Sequence, residues 1–404
     1  MRTDVNVAII GAGQAGLATS WYLTRANVDH VVFESGRVAE TWRSRRWDSF
    51  CLVTPNWSVA LPGGKYAGPD PDGFMNLQEL VDHFQGWADS FHAPVRESCS
   101  VAALDADGEN FLLTTSNGKV RARTVVVASG GYQRAHLPAN ANQIPESVTQ
   151  LRGEDYSNPS ALAPGAVLIV GSGQTGCQLA EELHEAGRKV FLSCGRAPWA
   201  PRRMGGHDLV WWIVESDWWA RTPGQLPSPA ARLLSNPLAT GHGGGHDLHY
   251  RTLHQLGVEL VGRFADAQDG KVHFADDLTQ SVDAGDTMAG VFKKWLDAFC
   301  SREGLPTSFE LPPPFRVDAR TELDLARERV STVIWTAGYR PAYDWVHFPV
   351  FDDMGFPIQK DGSSSVPGLY FMGVHFQRKA QSAVLYGVGE DAEIVARHIL
   401  ASRA

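Results

Sequence analysis

One arrangement of residues occurs twice in this chain, and it limits the fold more than any other feature. Residues 5–10 form a short apolar run ending in Gly11, residues 17–25 carry helix-forming side chains, and residues 30–34 form a second apolar run. Runs that are nearly continuously apolar, not apolar at alternate positions, predict parallel strands covered on both faces. Strand, crossover helix and parallel strand within roughly thirty residues make one βαβ unit. The same order returns at residues 166–170, a helix from about Gln174 to Ala186, and residues 189–194. Further strands are predicted at residues 124–128, 330–335 and 369–372, with a closing helix over 388–400. The fold class is therefore α/β, with two Rossmann-like dinucleotide-binding domains. From Thr222 to Pro314 the pattern gives way to proline- and glycine-rich pieces without a readable motif.

Each unit carries a glycine-rich turn between its strand and its helix. In Gly11-Ala12-Gly13-Gln14-Ala15-Gly16 the first glycine permits the tight turn. The second lets a pyrophosphate approach the backbone, and the third lets helix and strand pack closely. The pyrophosphate then sits at a helix N-terminus, where free N–H groups favour negative charge. Glu34 ends the second strand about 20 residues on, where an acid binds ribose hydroxyls. The second turn, Gly171-Ser172-Gly173-Gln174-Thr175-Gly176, has Cys194 at the matching place, followed by Arg196, Arg202 and Arg203. An acid there would repel a 2′-phosphate, whereas arginines bind one through charge-assisted hydrogen bonds. The second copy reads as an NADPH site through Arg196, supported by Arg202 or Arg203, with a solvated arginine loop as the plainer alternative. The first copy reads as a site for FAD or NAD. A chain holding NADPH and a second adenine dinucleotide most economically passes a hydride from NADPH to FAD.

Composition removes other classes. The net charge of −9 argues against nucleic acid or an anionic membrane as a partner. Five cysteines, none in a C-x-x-C, leave no dithiol centre and no zinc ribbon. No apolar run approaches the ~18 residues of a membrane span, and residues 1–10 lack a signal-peptide layout, which predicts a soluble, cytoplasmic protein. His242, His246, Asp247 and His249 invite a metal reading, but glycines 243–245 argue against the helix that would align the imidazoles. No metal is expected. Homo-oligomerisation stays open.

Taken together, Gly11 to Gly16, Glu34, Glu40-Thr41-Trp42-Arg43, Ala128-Ser129-Gly130-Gly131, the second glycine motif and Thr336-Ala337-Gly338-Tyr339 resemble the flavin-containing monooxygenases and their bacterial relatives. The resemblance runs from Val5 to about Leu400. It implies an FAD domain built from both ends of the chain, residues 1–160 and 336–404, with an NADPH domain inserted at 161–335. Ser35, Thr41, Trp42, Arg43, Ala128, Ser129, Gly130, Gly338, Gly373, Ser382 and Ala383 would then lie at the FAD, beside the motif residues Gln14 and Ala15. Gln174 and Thr175 would face NADPH. It further implies a C4a-hydroperoxyflavin that oxygenates a small organic substrate with O2, and a C-terminal helix whose N-terminus faces the flavin pyrimidine. One position departs from the family fingerprint: Arg152 stands where a histidine is expected. The chain also resembles the wider two-dinucleotide flavoproteins, whose disulfide reductases need a cysteine pair that is missing here.

Asn56, in Thr54-Pro55-Asn56-Trp57, best matches the asparagine that lies near the reactive oxygen in related monooxygenases; a turn asparagine after proline is the competing reading. Trp211-Trp212 and Trp218-Trp219 either line a substrate cleft or fill core. The leading expectation is an NADPH-dependent FAD monooxygenase acting at nitrogen, sulfur or a carbonyl carbon. An FAD-dependent NADPH oxidoreductase with another electron acceptor is the alternative, and a non-catalytic redox sensor is a distant third.

Overall fold

The computed structural model describes residues 4–233, 236–306 and 308–402; Met1-Arg2-Thr3, read above as part of the N-terminal layout, lies outside them. The predicted units form. Strand β1 (Asp4–Ile10), helix α1 (Gln14–Arg25) and strand β2 (His30–Phe33) make the first, with β1 and β2 parallel. Strands β3 (Gly118–Val127) and β7 (Leu369–Phe371) extend the same sheet in parallel, in the order β2-β1-β3-β7. The second unit is β4 (Ala166–Val170), α2 (Gln174–Glu185) and β5 (Val190–Ser193), and β6 (Val330–Trp335) joins it beside β4. Ahead of the expected crossover at residue 160, Thr149–Arg152 already pairs with β6 as the edge strand of this second sheet.

Register matters more to function than strand count. Ile10 lies opposite Phe33 and Val127, and Val127 opposite Phe371. The next residues along the chain, Gly11, Glu34, Ala128 and Met372, therefore leave the sheet side by side. In the second sheet Val170 lies opposite Ser193 and Trp335, so Gly171, Cys194 and Thr336 leave it together. Ligands of open α/β sheets bind outside such carboxyl ends. Two segments cross between the sheets, and they pair with each other: Arg134–Ala135 runs antiparallel to Tyr339–Arg340.

The segment without a readable motif contains a 26-residue helix, α3 (Leu278–Glu303). It buries Leu278, Val282, Ala289, Phe292, Leu296 and Phe299 along one stripe. Small residues let it approach the chain closely: a Cβ on Gly285 would stand 2.8 Å from the Ala197 carbonyl oxygen, whereas one on Gly290 would meet only Leu311 at 3.6 Å. α4 (Val388–Ala401) packs against α1 through buried Val388, Ala392, Val395 and Ile399.

These two glycines give a paired test. Gly290→Ala should raise stability by about 0.5–1 kcal/mol through lost unfolded-chain entropy. Gly285→Ala carries the same gain but forces the helix off Ala197, and should lower stability by about 1–3 kcal/mol. Urea unfolding of both variants checks the sign of each change.

Candidate cofactor cleft

The glycines of the first turn divide by what surrounds them. A Cβ on Gly11 (φ +110°) would lie 2.5 Å from the Ala128 carbonyl oxygen, and one on Gly16 would come within 1.9 Å of the Gly11 carbonyl oxygen. Both are required by the protein itself. A Cβ on Gly13 would meet nothing within 4 Å. Gly13 is the N-cap of α1 and no side chain caps that helix, so its first-turn N–H groups face the space that Gly13 leaves open. The second turn repeats the division: Gly171 lies against Thr336, Gly176 against Gly171, and Gly173 has open space. These cradles fit a pyrophosphate, since each lacks a protein atom where a phosphate must approach.

Polar bonds then differ between the copies. Glu34 is buried; its Oε2 accepts from Ala12 N at 2.7 Å, and its Oε1 from Ser35 Oγ at 3.0 Å and Gly36 N at 2.9 Å. The carboxylate is thereby fixed at the end of β2. In the second copy Ser172 Oγ takes over the bridge between the two loops. It accepts from Gly195 N at 2.8 Å and lies 2.6 Å from the Tyr250 hydroxyl, which donates to the Gly195 carbonyl at 2.5 Å. Cys194 is buried behind them. No carboxylate occupies the place that Glu34 holds in the first copy. Arg196 and Arg203 are both exposed, and neither side chain has a hydrogen-bond or ion-pair partner among the described residues.

Arg202 departs from the expectation that it reads a 2′-phosphate. It is 1% exposed. Its Nε pairs with Asp208 at 2.9 Å, its Nη1 donates to the Val53 carbonyl at 2.7 Å, and its guanidinium lies 4.5 Å from the Phe74 ring centre. Burial pushes its pKa down, against the pull of Asp208. The cation is spent inside the protein, which leaves Arg203 as the exposed neighbour of Arg196.

The remaining candidates sort by contact. Gln14 Nε2 donates to the Ala383 carbonyl at 3.2 Å and its Oε1 lies 3.4 Å from Trp42 Nε1. Ala15 abuts Gly373, where a Cβ would come within 2.8 Å of the Ala15 methyl. Ser382 is buried and its Oγ accepts from the Arg378 and Lys379 amides. So Gln14, Ala15, Trp42, Gly373 and Ala383 converge on the start of α1, with Glu34 and Ala128 beside it. Thr41 is exposed one residue before Trp42, and Ser129 Oγ accepts from Gln133 at 2.8 Å. Gly130 and Gly338 take positive φ, and a Cβ on either would meet nothing within 4 Å. Arg43 is turned inward, donating to the Val38 carbonyl at 2.8 Å and to Gln85 at 3.2 Å. Gln174 is hydrogen-bonded to both the amide and the carbonyl of Ala239, and Thr175 lies against Gly153. Arg152 is exposed, 3.7 Å from Glu154.

Asn56 is 4% exposed, and both ends of its amide are engaged: Nδ2 donates to the Asp70 carbonyl at 2.9 Å and Oδ1 accepts from Met75 N at 2.7 Å. That geometry favours the turn reading. The expected helix N-terminus is also modified. The first turn of α4 holds Glu390 and Asp391, tied to Arg378 at 3.1 and 2.9 Å and to Lys379 through Glu390 at 2.8 Å, so local acids already offset the dipole there. Trp212, Trp218 and Trp219 are core, packed with Phe292 and Leu296 of α3. His242 and His246 meet Glu185 at 3.1 Å and Glu181 at 2.6 Å; no metal-binding cluster is present among the described residues. No described helix is long and apolar enough to cross a membrane.

Sequence reasoning missed Ser172, Tyr250 and a group at the sheet crossover. There Tyr132 stands 5.3 Å from Tyr339 and 5.0 Å from His375, and Arg46 lies 4.9 Å over Trp42. Their signal was positional: each tyrosine directly follows a glycine-ended segment, Gly130-Gly131 or Ala337-Gly338.

Two sheets with aligned carboxyl ends, each capped by a glycine cradle, define the class of two-dinucleotide flavoproteins. The profile of the family described as "Pyridine nucleotide-disulphide oxidoreductase" matches residues 8–213. An "oxidoreductase CzcO-like" of Geobacillus kaustophilus is 31% identical over 99% of both chains. The chain belongs to this flavoprotein oxidoreductase family and fits its flavin-containing-monooxygenase-like branch. Flavin-containing monooxygenase 5 of Oryctolagus cuniculus is 28% identical over 50% of this chain and 42% of its own. The solved flavin-containing monooxygenase from Stenotrophomonas maltophilia shares the fold, with a TM-score of 0.67 at 19% identity over the whole of both chains.

Gly13→Val should fold, because nothing in the protein meets the new Cβ, yet purify without flavin because the cradle is filled. Gly16→Val should not fold at all. Flavin absorbance and circular dichroism of the two variants test this; full yellow colour in Gly13→Val would refute the site.

Proposed function

We propose that this protein is an NADPH-dependent FAD monooxygenase acting on a small organic molecule at nitrogen, sulfur or a carbonyl carbon. FAD belongs to the first glycine cradle, with Glu34 on the adenosine ribose and Gln14, Trp42, Gly373 and Ala383 around the start of α1. NADPH belongs to the second, with Arg196 and Arg203 on the 2′-phosphate. Bound FAD would supply a two-electron relay from nicotinamide to dioxygen. What this chain contributes is orientation: the half-buried Gln14–Ala383 bond and the Trp42 Nε1 contact with Gln14 hold the start of α1 against the Ala380–Ala383 turn. Asn56 serves as a positioning residue, holding residues 70–75 in place.

The observation that carries the oxygenase reading is the state of the thiols. All five cysteines are free, and Cys99, Cys177, Cys194 and Cys300 are buried. Cys177 and Cys194 point at the Ser172 and Leu192 carbonyls at 3.3 and 3.4 Å, and burial raises both thiol pKa values. Electrons reaching a flavin here find no protein dithiol to accept them, which leaves oxygen or an external acceptor.

Stopped-flow mixing of NADPH-reduced protein with oxygen distinguishes these. A transient absorbing between reduced and oxidised flavin, with oxygenated product matching NADPH consumed, is expected; direct reoxidation, or reoxidation only by an added acceptor, would establish the oxidoreductase alternative. Arg203→Ala and Arg196→Ala should each lower kcat/KM for NADPH roughly ten- to hundredfold, the worth of a charge-assisted contact of ~1.5–3 kcal/mol, while NADH values barely move. Arg202→Leu should instead cost about 3–5 kcal/mol of stability by stranding Asp208, with little change in nicotinamide preference.

A further inference from the structure

Outside the cofactor cradles, an arginine lies over a tryptophan ring with no acid among the described residues to neutralise it. Arg221 follows the turn Trp218–Ala220. Its guanidinium carbon is 3.3 Å from the centre of the Trp218 ring, and its Nε donates to the Trp218 carbonyl at 2.8 Å. Trp218 is itself wedged edge-on against Phe292 and Trp295, at 4.9 and 5.6 Å, so the cation rests on a fixed plate. Neither Nη nitrogen has a partner among the described residues, and Glu215 and Asp217, the carboxylates nearest in sequence, form no ion pair with it. Burial lowers the Arg221 pKa to about 10. A half-buried charge without a counter-ion is costly, and a ligand that brings one is bound correspondingly well.

Its neighbours say where that ligand lies. The Arg221 carbonyl accepts from Ala380 N at 2.8 Å. Ala380 begins the turn Ala380–Ala383, whose last carbonyl takes the hydrogen bond from Gln14 of the first glycine motif. Tyr386 stands 6.0 Å from Trp219 and 6.4 Å from Trp57, the residue after Asn56. The segments carrying Trp57, Arg221 and Tyr386, distant in sequence, thus meet beside the turn Ala380–Ala383. With Nε engaged, the two Nη groups remain as an end-on pair of donors, matched to the two oxygens of a carboxylate.

We propose that Arg221 anchors a carboxylate on the substrate, and that the substrates are small carboxylic acids whose aromatic or apolar body lies against the partly exposed rings of Trp57 and Tyr386. The assignment rests on the monooxygenase reading for its place beside the flavin, but the binding it asserts needs no turnover.

The test is binding of 3-phenylpropanoate and of its neutral analogue 3-phenylpropanamide to the purified holoprotein, followed by tryptophan fluorescence. The acid should bind about tenfold or more tightly than the amide, as expected for a charge-assisted pair. Arg221→Met should abolish that preference while leaving amide affinity in place, and Arg221→Lys should restore part of it. No saturation by the acid at millimolar concentration, a preference that survives in Arg221→Met, or equal loss of both ligands would each overturn the proposal; the last would mark Arg221 as packing. Failure of the monooxygenase reading shows separately, as flavin reoxidation without the transient in the stopped-flow experiment.

Discussion

Two helices are seated on the ends of two strands with no room for a methyl group between them, and the functional geometry follows from that contact. A Cβ at Gly16 or Gly176 would lie 1.9 Å from the carbonyl oxygen of Gly11 or Gly171. The approach aims the first turn of each helix past the carboxyl edge of its sheet, where strand register has already lined up the neighbouring loops. Backbone N–H groups left without intrahelical partners at that turn are the natural seat of a phosphate. The space beside Gly13 and Gly173 is then a consequence of how the helices are placed, and it needs no further device.

On that shared frame, the two cradles differ in the bond that bridges their loops. Glu34 closes the loops of the first with a carboxylate, through Ala12. Ser172 closes those of the second with a neutral hydroxyl, through Gly195. Two unit charges about 4 Å apart near a protein surface repel by about 4 kcal/mol, so under the proposed assignment a 2′-phosphate would be disfavoured beside Glu34 and not beside Ser172. In the proposed reading, exposed Arg196 and Arg203 would add attraction where no carboxylate stands.

The frame was legible in the sequence because unbroken apolar strands and glycine turns are local signals. Glu34 and the two helices were placed from spacing alone. Arg202 was not, because exposure cannot be read from a pair such as Arg202-Arg203: one residue is sealed under Phe74 and the next faces solvent. α3 was also hidden. Its buried positions, Leu278, Val282, Gly285, Ala289, Phe292, Leu296 and Phe299, follow the three-and-four spacing of a helix face, but small residues in its middle dilute the apolar signal. Ser172 lay inside a recognised motif at a position the motif leaves open, and its role appears only once Tyr250 is brought to it from the far end of a loop.

Arg202 also shows how the two halves of the cleft keep their distance. Its partners come from both sides: Asp208 from the insertion, Val53 and the Phe74 ring from the segment that Asn56 braces. Buried ion pairs add little net stability, but removing one partner is expensive. Such a contact therefore tolerates few alternative arrangements, and it fixes position more than it strengthens the fold. Asn56 extends the constraint, bonding Asp70 and Met75 on either side of Phe74. The loop bearing Trp57 and the insertion bearing Trp219 and Arg221 are thus held to one another by a buried cation and a buried amide. Neither of those groups has to touch a ligand to fix how these two segments sit against one another.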